Sequence, residues 1–243
     1  MHTNQRPHPG RPARPAAPGR VTDTAHELVD ELSRAVKPAL RGWLHQLFAP
    51  VCLVAGMALV VLAHSPAERL ACAVYTLSAL LLFANSAFYH RGSWSPGVHA
   101  VFRRVDHANI FVFIAGSYTP LAVGMLHGSS LRTLLGLVWA CALAGVLFRV
   151  FWITAPRWLY VALYLAMGWA AVGWMGQFWH TGGPLVVGLI AAGGVVYSLG
   201  AVVYGLKRPN PWPATFGFHE IFHSCTILAA ICHYLAIWLV LFR

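Results

Sequence analysis

Seven apolar runs, each close to the length of a membrane-crossing helix, limit what this chain can fold into. They fall at about 44–63, 70–90, 107–126, 132–151, 158–178, 184–206 and 219–241. About 20 helical residues, rising about 1.5 Å each, cover the roughly 30 Å hydrocarbon core of a bilayer. The segments between the runs hold the turn-formers and charges: HSPAER, RGSWSPGVHAVFRR, HGSSLR, TAPR, HTGGP and KRPNPWPATFG. Charged residues make up 10% of the chain and hydrophobic ones 58%, where a soluble domain carries about 25% charge. So little polar surface cannot cover a globule in water. The pattern predicts an all-α membrane protein, a seven-transmembrane helix bundle over residues 44–243.

Residues 1–21 are rich in Pro, Gly and Arg and poor in apolar bulk, the composition of a disordered tail rather than of a signal peptide. Over residues 22–43, Leu28, Leu32, Val36, Leu40 and Trp43 recur every three or four positions between charged residues. That spacing predicts an amphipathic helix lying along the interface. The net charge of +10 needs no nucleic acid to explain it once the basic residues are located. With the N-terminus inside, fourteen Lys and Arg fall on the inner segments, and only Arg69, Arg132 and Arg243 fall outside. The Lys/Arg bias therefore predicts a cytoplasmic N-terminus and an outside C-terminus. The five cysteines all lie within apolar runs, with no CxxC among them, so a disulfide framework is not expected.

Ionisable groups at membrane depth are costly and mark function by default. Of seven acids, only Asp106 and Glu220 stand at the ends of runs, both at the expected inner side of the bilayer. His90 closes run two with Ser86 one helical turn before it, and His219 and His223 open run seven. Residues four apart share a helix face, about 6 Å apart along the axis. The topology thus delivers His90, Asp106, His219 and His223 to one depth near the cytoplasmic leaflet. Three imidazoles with a carboxylate nearby suit zinc, and three protein ligands leave a position for water. Such a water can be acidified to a pKa of about 7 and become a nucleophile. Asp106 would orient or deprotonate it, with Ser86 assisting by hydrogen bonding. His219-Glu-Ile-Phe-His223 also reads as HExxH, whose Glu is the general base in soluble metalloproteases. On a helix Glu220 points about 100° away from His219, so a packing or interfacial role stands beside that of a base. His233 lies about 15 Å further along run seven and is expected to pack against a hydrogen-bond partner. His107 points elsewhere, and His2, His8, His26, His45, His64, His99, His127 and His180 are not expected to ligate. Tyr160, Tyr164, Tyr197 and Tyr204 read as packing residues.

The combination of Ser86-Ala-Phe-Tyr-His90, Val105-Asp-His-Ala-Asn-Ile-Phe111, Ile114-Ala-Gly-Ser-Tyr-Thr-Pro120, Tyr164-Leu-Ala-Met-Gly-Trp169 and Phe216-Gly-Phe-His-Glu-Ile-Phe-His223 resembles the hemolysin III family. Its members are bacterial relatives of the progestin and adipoQ receptors, and the likeness covers about residues 40–243. The resemblance implies seven helices with the N-terminus inside, in a bacterial plasma membrane. It also implies a zinc held by His90, His219 and His223, with Asp106 and Ser86 as the family's acid and serine. The wider superfamily includes alkaline ceramidases, other bacterial members are associated with membrane-lipid homeostasis, and the family name reflects a reported cytolytic activity.

Three functions follow as expectations. The first is a zinc-dependent hydrolase of a lipid amide or ester, with membrane lipid as substrate. The second is a non-enzymatic sensor or lipid-homeostasis factor in which zinc ties the helices together. The third is a cytolytic pore, disfavoured because the outer halves of the runs are almost wholly apolar.

Overall fold

The computed structural model describes residues 38–242. The tail over 1–21 and positions 22–37 of the expected interfacial helix lie outside the described residues, and residues 39–42 form turns. From there the chain is helical: α1 (Trp43–Leu62), α2 (Pro66–Arg91), α3 (Pro96–Met125), α4 (Gly128–Phe151), α5 (Arg157–Gly168), a 3-10 turn (Ala170–Trp174), α6 (Met175–Leu206) and α7 (Phe218–Leu241). Among the described residues, six helical stretches are long and apolar enough to cross a membrane, one of them the run Arg157–Leu206.

Local chemistry sets the boundaries. α2 opens with a reciprocal cap: the Glu68 amide donates to Ser65 Oγ at 3.2 Å, and the Ser65 amide donates to Glu68 Oε2 at 2.9 Å. Each satisfies a backbone or side-chain group that the first turn leaves unpaired. α3 starts at Pro96, well before the apolar run that begins near 107. Proline is preorganised for the first helical position, so the polar stretch His99–Arg104, read from sequence as loop, winds into the helix.

The run Arg157–Leu206 folds back on itself. α6 is two helices joined at Gly183, whose φ of 77° and ψ of 177° are non-helical, followed by Pro184. The two ends of the run then meet, with Arg157 Nη1 donating to the Tyr204 carbonyl at 3.1 Å. Trp169 Nε1 likewise donates to Ser198 Oγ at 3.0 Å. The break between α5 and the 3-10 turn is tied by Tyr118 of α3. Its hydroxyl donates to the Gly168 carbonyl at 2.5 Å and accepts from the Ala171 amide at 3.2 Å. Backbone groups freed inside an apolar bundle must find such partners.

α3 runs through the middle of the bundle, and Phe111, Ala115, Tyr118, Leu121 and Ala122 along it are buried. The outward faces are apolar too: Val54 is 72% exposed and Leu70 68%. A surface of that kind is matched to lipid, not water. Helices approach closely where side chains are small. On α4, a Cβ at Gly145 would run into the ring of Phe111. Gly145→Val is therefore expected to cost about 1–3 kcal/mol through overpacking, read as a lower unfolding midpoint of the detergent-purified protein.

Candidate metal centre

Three helices place the polar groups. His90 lies in the last turn of α2, Asp106 in the third turn of α3, and His219 and His223 in the first two turns of α7. The ligand atoms of His90, His219 and His223 all lie within 4.8 Å of one another, an arrangement able to hold a metal ion. His90 Nε2 and His219 Nε2 stand 3.2 Å apart. Two nitrogens bound to one tetrahedral zinc at about 2.1 Å would be separated by roughly 3.4 Å, close to the spacing of this pair, so the donor set fits that ion. Asp106 Oδ2 lies 3.8 Å from His90 Nε2, and the Ser86 hydroxyl is hydrogen-bonded to the Asp106 carboxylate. All five residues singled out in the sequence are thus brought together.

A fourth histidine joins them. His45, in the first turn of α1 and 2% exposed, stacks on His223 with ring centroids 3.8 Å apart and planes 7° from parallel. Phe83 meets its edge at 4.9 Å. Sequence reasoning set His45 aside as N-terminal. The depth argument that united the other three applies to it equally, because α1 begins at the same end of the bundle. His107 also faces this space, but its ring is committed. Nδ1 lies 2.7 Å from the Arg103 carbonyl and Nε2 3.4 Å from the Tyr204 hydroxyl. His233 contacts the Ile190 backbone away from the cluster, as its position along α7 predicts.

Glu220 is 1% exposed and turned to a structural task. Its Oε1 accepts from Arg41 Nε at 2.6 Å, and its Oε2 accepts from the Gly217 amide at 2.9 Å. The residues before α1 are laced to the loop before α7: the Ala39 amide donates to the Ala214 carbonyl at 2.9 Å and the Leu40 amide to the Thr215 carbonyl at 3.2 Å. Gly42 completes this crossing with φ 85°, and a Cβ there would lie 2.9 Å from His90 Cβ. The resemblance to HExxH therefore preserves the two histidines and reassigns the acid to fastening the start of α7.

Ser86, Asp106, His219 and His223 border a cavity of about 30 Å³, room for about two water molecules. A second cavity of about 60 Å³ shares three of its walls, Phe113, Tyr197 and Thr226. This second space is mainly apolar and lies between α3, α5, α6 and α7. At the junction the Tyr197 hydroxyl is buried with no hydrogen-bond partner among the described residues. Sequence gave no reason to separate Tyr197 from the other tyrosines.

A family model described as Haemolysin-III related matches residues 33–234 of this chain. The chain belongs to that family. Among its relatives is a protein named Hemolysin-3 homolog from Bacillus subtilis, 32% identical over 151 residues that make up 62% of this chain and 68% of that protein. Hemolysin-3 of Bacillus cereus is 31% identical over 54% of this chain, and 59% of that protein's length is spanned. A human protein, Monocyte to macrophage differentiation factor, is 27% identical over 72% of each chain. With its lipid-matched helices, this haemolysin-III related chain is a multi-pass membrane protein. Its fastening of α7 can be tested directly. Arg41→Met strands the buried Glu220 carboxylate and is expected to cost about 2 kcal/mol or more. Adding Glu220→Gln, which keeps an acceptor for the Gly217 amide, should recover most of the lost unfolding midpoint.

Proposed function

We propose that this haemolysin-III related protein is a zinc-dependent hydrolase of amide or ester bonds in a membrane lipid. The observation that carries the reading is the juxtaposition of three imidazoles, a carboxylate and a serine beside an apolar cavity inside the bundle. We read the Arg157–Leu206 run as two crossings that turn at Gly183–Pro184. That gives seven spans, with the N-terminus cytoplasmic, in a bacterial plasma membrane. The site then lies near the cytoplasmic leaflet, where lipid can enter sideways.

His90, His219 and His223 would hold the zinc. Bound there, zinc supplies a Lewis acid that polarises a carbonyl and lowers the pKa of water. Asp106 is the catalytic base: its carboxylate accepts a proton from the attacking water as the water oxygen bonds to the acyl carbon. When the C–N or C–O bond breaks, Asp106 returns that proton to the departing amine or alcohol. Ser86 holds the carboxylate oriented toward His90. The acyl chain occupies the apolar cavity beyond Phe113, and Tyr197, whose hydroxyl lacks a protein partner, donates to a polar atom of the lipid at the junction.

Elemental analysis of the purified protein should give about one zinc per chain, largely lost in His219→Ala. Hydrolysis of a lipid amide should follow the metal. Asp106→Asn should retain zinc and lose turnover by about a hundredfold or more. Zinc without turnover of any ceramide, acyl-amide or phospholipid would leave the metal a structural tie and sink the hydrolase reading; well-folded protein without metal would sink the site. In the active protein, Tyr197→Phe should weaken turnover by about tenfold through loss of one hydrogen bond, with zinc content unchanged.

A further inference from the structure

Away from the candidate metal centre, the corner where α3, α4, α5 and α6 come together gathers cations with no acid among the described residues to meet them. Arg149, in the last turn of α4, is 2% exposed and the largest of the fully buried side chains. Its guanidinium lies 4.4 Å over the Tyr160 ring. That contact occupies the flat face of the group, whereas the N–H donors lie in its plane, and Nε and Nη1 have no acceptor among the described residues. Arg157 lies 4.9 Å over the ring of Tyr204, and the two tyrosine rings are 6.5 Å apart. Arg104 Nε donates to the Val150 carbonyl at 3.3 Å, closing α3 onto α4 beside Arg149. The charges of Arg103, Arg149 and Arg157 all act on the His107 ring.

No acid stands between Asp106 and Glu220 in the sequence. Asp106 is engaged by Ser86 and His90, and Glu220 by Arg41. A buried guanidinium with in-plane donors unmet is costly unless an anion comes to it. The planar fork of arginine matches the oxygens of phosphate, which it binds through paired hydrogen bonds. The surroundings fix where that phosphate comes from. Phe151 is 83% exposed, and Trp152 and Trp158 are exposed beside it, and aromatic rings of this kind sit at the level of lipid headgroups.

We propose that Arg149 and Arg157, flanked by Arg103 and Arg104, form a binding site for a phosphate group, supplied by the headgroup of an anionic phospholipid. The site stands independently of the hydrolase reading, since it uses none of the residues around the zinc. Full-length protein in mild detergent is titrated with phosphatidylglycerol, phosphatidylcholine or inorganic phosphate. Retention of lipid is read by native mass spectrometry, and the unfolding midpoint is read in parallel. Phosphatidylglycerol should be retained and should raise the midpoint of the wild type. Arg149→Met, which keeps the apolar stem, should bind it about tenfold more weakly. Should Arg149→Met fail to fold, Arg157→Gln, on the more open side of the site, should show the same loss. Inorganic phosphate that stabilises the wild type alone and not the variants supports the anion site with a soluble source. Equal binding of phosphatidylglycerol by the wild type and both variants, or no response to any of the three, overturns it and leaves Arg149 neutralised within the chain.

Discussion

In the core of a bilayer neither a backbone amide nor an ionised side chain can turn to water. The whole structure follows from meeting that condition at a few places where a regular helix does not. Most of the chain meets it by being helical. Where helix geometry lapses, between α5 and the 3-10 turn, the Tyr118 hydroxyl serves both a carbonyl and an amide of the interrupted strand of backbone. Glu220, almost wholly buried, is accommodated by Arg41 and by the amide that opens α7. Each is a polar group satisfied by a partner distant in sequence, so each also fixes the position of one helix against another.

The metal centre depends on the second of these. His219 and His223 reach His90 only if the first turns of α7 sit at a set height against α2. The segment Ala39–Gly42 binds both sides of that contact: it hydrogen-bonds the 214–215 loop, pairs with Glu220 and presses Gly42 against His90. The acid of the HExxH-like segment has thereby moved from chemistry to support. Among the described residues the acid left to face the imidazoles is Asp106 of α3, which meets Ser86 and His90 of α2. In a soluble metalloprotease two histidines and the base share one helix; here the carboxylate beside the cluster and the third histidine come from other helices.

Much of this was legible in the residues. The apolar runs foretold the helices within a few residues except at α3, where Pro96 starts the helix among charged residues that an apolar count assigns to a loop, and in the run 158–178, where α5 ends at Gly168 and a 3-10 turn intervenes before Met175. The grouping of Ser86, His90, Asp106, His219 and His223 came from depth alone: alternating spans leave few ways for polar groups at the same end of the bundle to avoid one another. The same reasoning was not carried to α1, and His45 was passed over. Tyr197 and Arg149 were not separable from sequence. A tyrosine with its hydroxyl left unpaired between two cavities, and an arginine buried rather than extended to water, differ from their neighbours only in rotation about a helix axis. That rotation is set by packing against helices far away in the chain.

His45 shows how a residue can belong to a centre without ligating in it. Imidazole binds a metal along a lone pair in the plane of its ring. The planes of His45 and His223 are nearly parallel, with centroids 3.8 Å apart, so an ion lying in the plane of one lies well outside the plane of the other. In this arrangement His223 can share an ion with His90 and His219, whose rings are inclined to it at 57°, and His45 cannot. What the stack fixes is the rotation of the His223 ring, held between α1 on one side and the cluster on the other. With Phe83 set edge-on against His45, the third donor is oriented by packed rings instead of by an outer carboxylate.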